Sequence, residues 1–385
     1  MKNLLRSKWF IIVIVSVAII FVGRVNLVGS ISDSAIVVGL GVDVTPDSFE
    51  ISVQTFIAQG DVAGAASKSI YEVYSANSST FSGALSAISE KLGLTIVLSH
   101  CHVIVASKDA LGYGINEELQ TLVDAWFLTL QSILVATEDD PEEILKASVP
   151  ASNSSSTYLQ STLRQSDSFQ NLTRLSIKSL FVDNYTKSTT STIALVEKSE
   201  LADDIISSSG GETPSSAKTF EFKMRRNLVF GDSVPEPFIL EEESSAIVNA
   251  FKHAQRGGAF ELPLLNGYVV HFEIISEKGK MTYSKNAVKA KLKMKLVLRE
   301  YKQNEEVRSL YLLQQKDRDE IIMLAEETIK LLMSNAFFIS QSHNADFFQI
   351  EDGMYRKFGR FWEKPENFLQ NLEFTPEVDI TLKRG

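Results

Sequence analysis

His100-Cys101-His102 brings together side chains that bind metals or act as nucleophiles. In a strand, His100 and His102 share one face while Cys101 points to the other. Two imidazoles can begin a zinc site, yet no Glu-x-x-His and no further cysteine spacing completes one here. The chain has a single cysteine, so Cys101 reads as a small buried hydrophobe and no intrachain disulfide is available. Gly39-Leu40-Gly41 supplies two glycines of a dinucleotide-binding turn, but Val42-Asp43-Val44 continues a strand where the motif requires a helix. Neither a Gly-x-Ser-x-Gly elbow nor a Gly-Lys-Ser/Thr phosphate loop occurs. The acidic groups Asp139-Asp140, Asp203-Asp204 and Glu241-Glu242-Glu243 fall in loops or at expected helix starts, where carboxylates meet the positive end of the helix dipole. The expectation is a non-enzymatic protein with no catalytic residues, no cofactor and no metal.

The elements that would position these residues read as α+β. Strands are expected at 35–43, 49–56, 95–106, 132–137, 192–198, 218–230, 268–275, 287–299 and 378–382. Helices are expected at 80–92, 116–130, from Pro141, within the polar belt 150–168, at 241–255 and at 317–338. The run 95–106 is apolar and β-branched enough to be a central strand. In 287–299, Ala290, Leu292, Met294, Leu296 and Leu298 alternate with Lys289, Lys291, Lys293, Lys295 and Arg299, giving one core face and one cationic face. Those lysines, with Phe358 and Trp362 from the aromatic segment after the longest helix, are the candidate partner contacts. Their plainer roles are a solvated sheet face and core packing. The layout is two or three mixed domains with mainly antiparallel sheets and helices on one face. A segment 1–30 precedes an N-terminal region 31–206 with a subdomain break near 146–170, then a Ser/Gly-rich linker 207–217 and a C-terminal domain 218–385.

Composition narrows the partners. Hydrophobic residues make up 44% and charged residues 22%, ordinary for a core-forming chain, and the net charge of −10 argues against nucleic acid. The start of the chain points to a membrane. Lys2, Arg6 and Lys8 precede Trp9, Phe10, Ile11, Ile12, Val13, Ile14, Val15, Val17, Ala18, Ile19, Ile20, Phe21 and Val22. Positive charge ahead of an apolar run keeps the N-terminus cytoplasmic and sends the remainder of the chain outward. A span needs about 20 residues, and 9–28 just suffices with Arg24 reaching the outer interface. A retained membrane-anchor helix and a signal cleaved near Ser30 both remain open. A lipidated cysteine does not, because Cys101 is the only cysteine.

In order and spacing, several of these segments resemble the C subunit of bacterial spore germinant receptors, the Ger(x)C family. Ile31-Ser32-Asp33-Ser34-Ala35-Ile36-Val37 with Gly39-Leu40-Gly41-Val42-Asp43 is similar to its first strand. Ser99-His100-Cys101-His102-Val103-Ile104-Val105, Asp346-Phe347-Phe348, Tyr355-Arg356-Lys357-Phe358 with Trp362, and Val378-Asp379-Ile380 with Lys383-Arg384-Gly385 are similar to later segments. The departure is the lipidation cysteine of that family: Leu27-Val28-Gly29-Ser30 resembles its site with serine in place of cysteine. The resemblance implies a membrane-tethered, non-catalytic subunit acting in nutrient-triggered germination. It implies multispanning A- and B-type subunits as partners, and a place on the outer face of the membrane. An envelope solute-binding or adhesion module is the alternative.

Overall fold

The computed structural model describes residues 33–57, 70–149, 152–165, 172–200, 220–252, 257–265, 267–303, 306–307, 314–360 and 362–383. The expected anchor at 9–28 and linker at 207–217 lie outside them. Among the described residues, no helix is long and apolar enough to cross a membrane.

The expected hairpin is present as β1 (Ser34–Val44) and β2 (Phe49–Ile57), closed where the Thr45 hydroxyl donates to Ser48 O at 2.9 Å. β3 (Ile70–Ser78) adds an antiparallel neighbour. Helix α1 (Phe81–Leu92) starts at Thr80, whose hydroxyl accepts from the Gly83 amide, and ends at Gly93 in the left-handed region. Next come β4 (Thr95–Val97), β5 (Val103–Ser107), α2 (Lys108–Tyr113), α3 (Asn116–Trp126) and β6 (Ile133–Thr137). After them come α4 (Pro141–Lys146), α5 (Ser155–Arg164), β7 (Leu175–Ser176), α6 (Ile177–Asn184) and β8 (Ser191–Glu200). Then β9 (Phe220–Lys223), β10 (Asn227–Phe230) and β11 (Phe238–Leu240) complete an 11-stranded sheet. Its main path is β11-β10-β8-β6-β5-β1-β2-β3.

Three expectations change here. The strand expected across 95–106 is two strands, broken where the Cys101 amide turns back to Leu98 O at 2.9 Å. The sheet's pairings are mainly antiparallel, as expected, but β1, β5, β6 and β8 run parallel at its centre and helices lie on both of its faces, where one was expected. Helical crossovers return the chain to the same end each time, and β5 and β6 are buried along their whole length between helices on both faces. Finally, β9 to β11, which follow the expected linker, pair with this sheet and not with the second.

The second sheet contains β12 (Ala259–Pro263), β13 (Val269–Tyr283), β14 (Ala287–Gln303), β15 (Glu306–Val307) and β16 (Glu373–Lys383). The last strand runs parallel to β14, while the other pairings of this sheet are antiparallel, as expected. Helices α7 (Glu242–Lys252), α8 (Gln315–Ser342) and α9 (Ile350–Phe358) cover its core face. Ala290, Leu292, Met294, Leu296 and Leu298 are buried as the alternation required, and Ile321, Ala325, Thr328 and Ala336 of α8 meet them.

Gly39 and Gly41 are glycines because α4 and α5 press on β1. A Cβ at Gly39 would sit 1.8 Å from Ser156 Oγ, and one at Gly41 would sit 2.1 Å from Ser52 Oγ and 3.2 Å from Leu145. Buried Gln54 locks the same contact, donating to Leu145 O at 2.7 Å and accepting from the Ser154 hydroxyl at 2.7 Å. Overpacking such a contact costs about 1–3 kcal/mol. Gly39→Ala is therefore expected to destabilise by about that amount, with Ser156→Gly on top restoring part of it in a double-mutant cycle of urea unfolding.

Candidate functional site at the junction of the two sheets

Most of the predicted chemistry is absorbed by packing. His100 is exposed, Cys101 fully buried and His102 half-buried, all in the turn before β5 and not on a strand face. Burial pushes the Cys101 thiol up to about 12, and burial with the charges of Arg164 and His100 lowers His102. Among the described residues, no group of three or more metal-ligating side chains assembles. On the outer face of β14, Lys289 pairs with Glu377 at 2.6 Å, while Lys291 and Lys293 share Asp379 at 3.7 and 3.8 Å. Lys295 stands between Ser276 and Thr381, and Lys278 and Lys280 of β13 face Lys293 and Lys291. The parallel placement of β16 thus sets acids beside a row of facing like charges. Phe358 and Trp362 are half-buried against the C-terminal core, with Trp362 edge-on to Phe368.

The most constrained polar chemistry lies where the two halves meet. Asp346, in the turn between α8 and α9, is 4% exposed. Its carboxylate accepts from the Ile350 and Glu351 amides at 2.8 and 2.7 Å, satisfying the start of α9, where the helix dipole favours negative charge. It also accepts from the Ser188 hydroxyl, in the loop before β8, at 2.7 Å. Beside it, Gln349 donates to Asp183 of α6 at 3.2 Å, and Ser191 of β8 donates to the other oxygen of Asp183 at 3.1 Å. Lys252 at the end of α7 donates to the Thr192 hydroxyl at 2.9 Å, and Thr173 donates to Asn249 of α7 at 2.5 Å. Burial lowers the Lys252 ammonium, and the nearby Asp183 and Asp346 carboxylates oppose that. The side of the junction opens into a cavity of about 1130 Å³, lined by Tyr158, Phe222 and Met224 of the first half and Ile247, Leu262 and Met294 of the second. The arrangement fastens two cores together and contains a carboxylate that changes charge near neutrality.

Sequence reasoning singles out Asp346-Phe347-Phe348 without showing that it is the fastening. An aspartate four residues ahead of a helix's first free amide was the available signal. A second omission is the outer side of α8, where Met323, Leu331 and Phe338 are 52%, 58% and 65% exposed. Their spacing of eight and seven residues sets them on one stripe opposite Ile321 and Ala325.

Comparison with known proteins decides what carries this junction. Residues 30–198 match the family model described as the spore germination protein N-terminal domain, and residues 238–385 match the spore germination B3/GerAC-like C-terminal model. The chain belongs to the Ger(x)C family, the C subunits of spore germinant receptors. The family is one of non-catalytic receptor subunits that act within a complex in spore germination. The crystal structure of the GerBC protein has the same fold, with a TM-score of 0.53, 13% identity, and coverage of 89% of this chain and 96% of that one. No curated protein matches the chain. The second family model begins at 238, at β11, in keeping with the strands before it closing the first sheet.

Burial raises the Asp346 carboxyl from 3.8 to about 6, although its three donors favour the charged form. The folded state therefore takes up its proton near pH 6 and the unfolded chain near 3.8. Between those values the folded state binds more protons, so this group adds stability as pH falls and removes it as pH rises through 6. Lowering the pH from 7 to 5 should stabilise the unmodified protein relative to Asp346→Asn by about 1 kcal/mol in denaturant unfolding.

Proposed function

We propose that this C subunit is a membrane-tethered coupling component of its receptor, held on the outer face of the membrane by a retained anchor at 9–28. A spanning helix replaces the acyl chains that the serine at position 30 cannot carry. The observation that carries the coupling role is the junction: Asp346, Lys252 and Asn249 join the two halves through side chains of the loop before β8, of β8 and of the stretch before β7. A displacement of either sheet is thereby passed to the other. Multispanning A- and B-type subunits are the partners. The cationic outer face of β13 and β14, with Lys278, Lys280, Lys289, Lys291, Lys293 and Lys295, is the surface offered to acidic segments on them. Phe358 and Trp362 support that face from within the core, so their loss acts first on stability.

Deleting the chain is expected to abolish nutrient-triggered germination while leaving growth and spore formation intact; germination at the normal rate contradicts the role. Reversing Lys278 and Lys280 to glutamate should leave unfolding little changed but reduce recovery of the multispanning subunits on affinity capture severalfold at low salt. Intact-mass analysis should find the mature chain with its first 29 residues, whereas a start at Ser30 removes the tether.

The cavity between the halves supports a second reading, an envelope solute-binding module. A thermal-shift screen with amino acids and sugars separates the two: a saturable rise in Tm with one ligand favours binding, and none favours coupling alone.

A further inference from the structure

Four exposed apolar side chains crowd the end of the first sheet from which the N-terminal segment departs. Because β1, β5, β6 and β8 are parallel, the loops feeding β6 and β8 open at the end where β1 begins. Hydrogen bonds from the His102 amide to Val38 O and from the Ile133 amide to His102 O, both 2.9 Å, set the starts of β5 and β6 level with Val38, four residues into β1. The loop into β6 carries Phe127 and Leu130, 76% and 41% exposed. Phe127 closes α3 with φ 55°, a left-handed backbone that is costly for an aromatic residue, and it points its ring away from the core. Helix α6 starts against this loop, where the Lys178 amide donates to Leu130 O at 3.0 Å, and crosses under the sheet to Asp183, bonded to Ser191 at the start of β8. It presents Val182 and Tyr185, 56% and 92% exposed, with exposed Lys178 one turn before Val182.

Chain length says what meets this surface. From Val28, the end of the apolar run, to Ser34, where β1 begins, there are six residues, reaching no more than about 20 Å when fully extended. We propose that Phe127, Leu130, Val182 and Tyr185 lie in the interfacial layer of the lipid bilayer that holds the anchor. The inference rests on the retained anchor proposed above. Aromatic side chains with a neighbouring lysine are the composition that settles at headgroup depth, whereas Tyr113, 64% exposed beside Phe49 at the opposite end of the sheet, would stand clear of it. The contact would fix the tilt of the whole body relative to the membrane.

The test uses full-length chain bearing Leu130→Cys, Tyr185→Cys or Tyr113→Cys, each labelled with nitrobenzoxadiazole. The proteins are reconstituted in phosphatidylcholine and phosphatidylglycerol vesicles with or without nitroxide-bearing lipid. Cys101 is fully buried and stays unlabelled. Emission at 130 and 185 should shift to the blue and fall at least twofold with nitroxide lipid, with 113 unchanged. Protein that floats with the vesicles while 130 and 185 behave like 113 overturns the inference alone. Equal quenching at all three positions overturns it as non-specific adsorption. Failure to float defeats the anchor and this surface together.

Discussion

A buried carboxylate that must serve two structures at once sets the terms for this molecule. Asp346 has to satisfy the amides that open α9 and also hold Ser188 of the opposite half, and it does so almost without water. Leaving such donors unpaired costs about 1–3 kcal/mol, which fixes the carboxylate at the start of α9, and the Ser188 bond then ties that turn to the opposite half. The neighbouring bonds obey the same logic. Lys252 reaches Thr192, Asn249 reaches Thr173, and Gln349 reaches Asp183. Each joins a donor or acceptor of one half to a group on the other, which fixes register as well as position. Around them the apolar core of the second sheet extends onto Val229, Val234 and Leu240 of the first.

Much of this was legible in the sequence. The hairpin β1–β2, the caps of α1 and α4, the long α8 and the alternation of β14 all stand where periodicity and capping residues put them. What failed, failed for physical reasons. A strand buried on both faces loses its alternation, so the continuous apolar runs at β5 and β6 show their burial but not which strands they pair with. The run 95–106 looked continuous because a turn whose Cys101 is buried is as apolar as the strands it separates. The Ser/Gly-rich stretch at 207–217 marked a break in composition, yet the strands after it return to the first sheet; only pairing partners reveal that. The polar residues of the junction gave no local pattern, since their partners lie 60 to 166 positions away.

The residues that invited catalytic readings have mechanical ones. Gly39 and Gly41 admit Ser156, Ser52 and Leu145 to the sheet. His100-Cys101-His102 makes the turn into β5, with the Cys101 carbonyl accepting from Ser132 at 2.7 Å. Polar groups placed this way set register between parts. The cationic face has the same origin: parallel pairing with β16 supplies Glu377 and Asp379, and the lysines left on β13 give an acidic protein one positive surface.

The central claim is that the two sheets form one cooperative unit through the Asp346 junction. Native-state hydrogen exchange of the full chain reads this directly, through the amides of Ile350 and Glu351, of Ile193 and Leu195 in β8, and of Leu292 and Met294 in β14. The account predicts that all six exchange through one opening with a common free energy and a common dependence on denaturant. Exchange of the β14 and α9 amides through a separate opening, lower in free energy than that of β8, would contradict it.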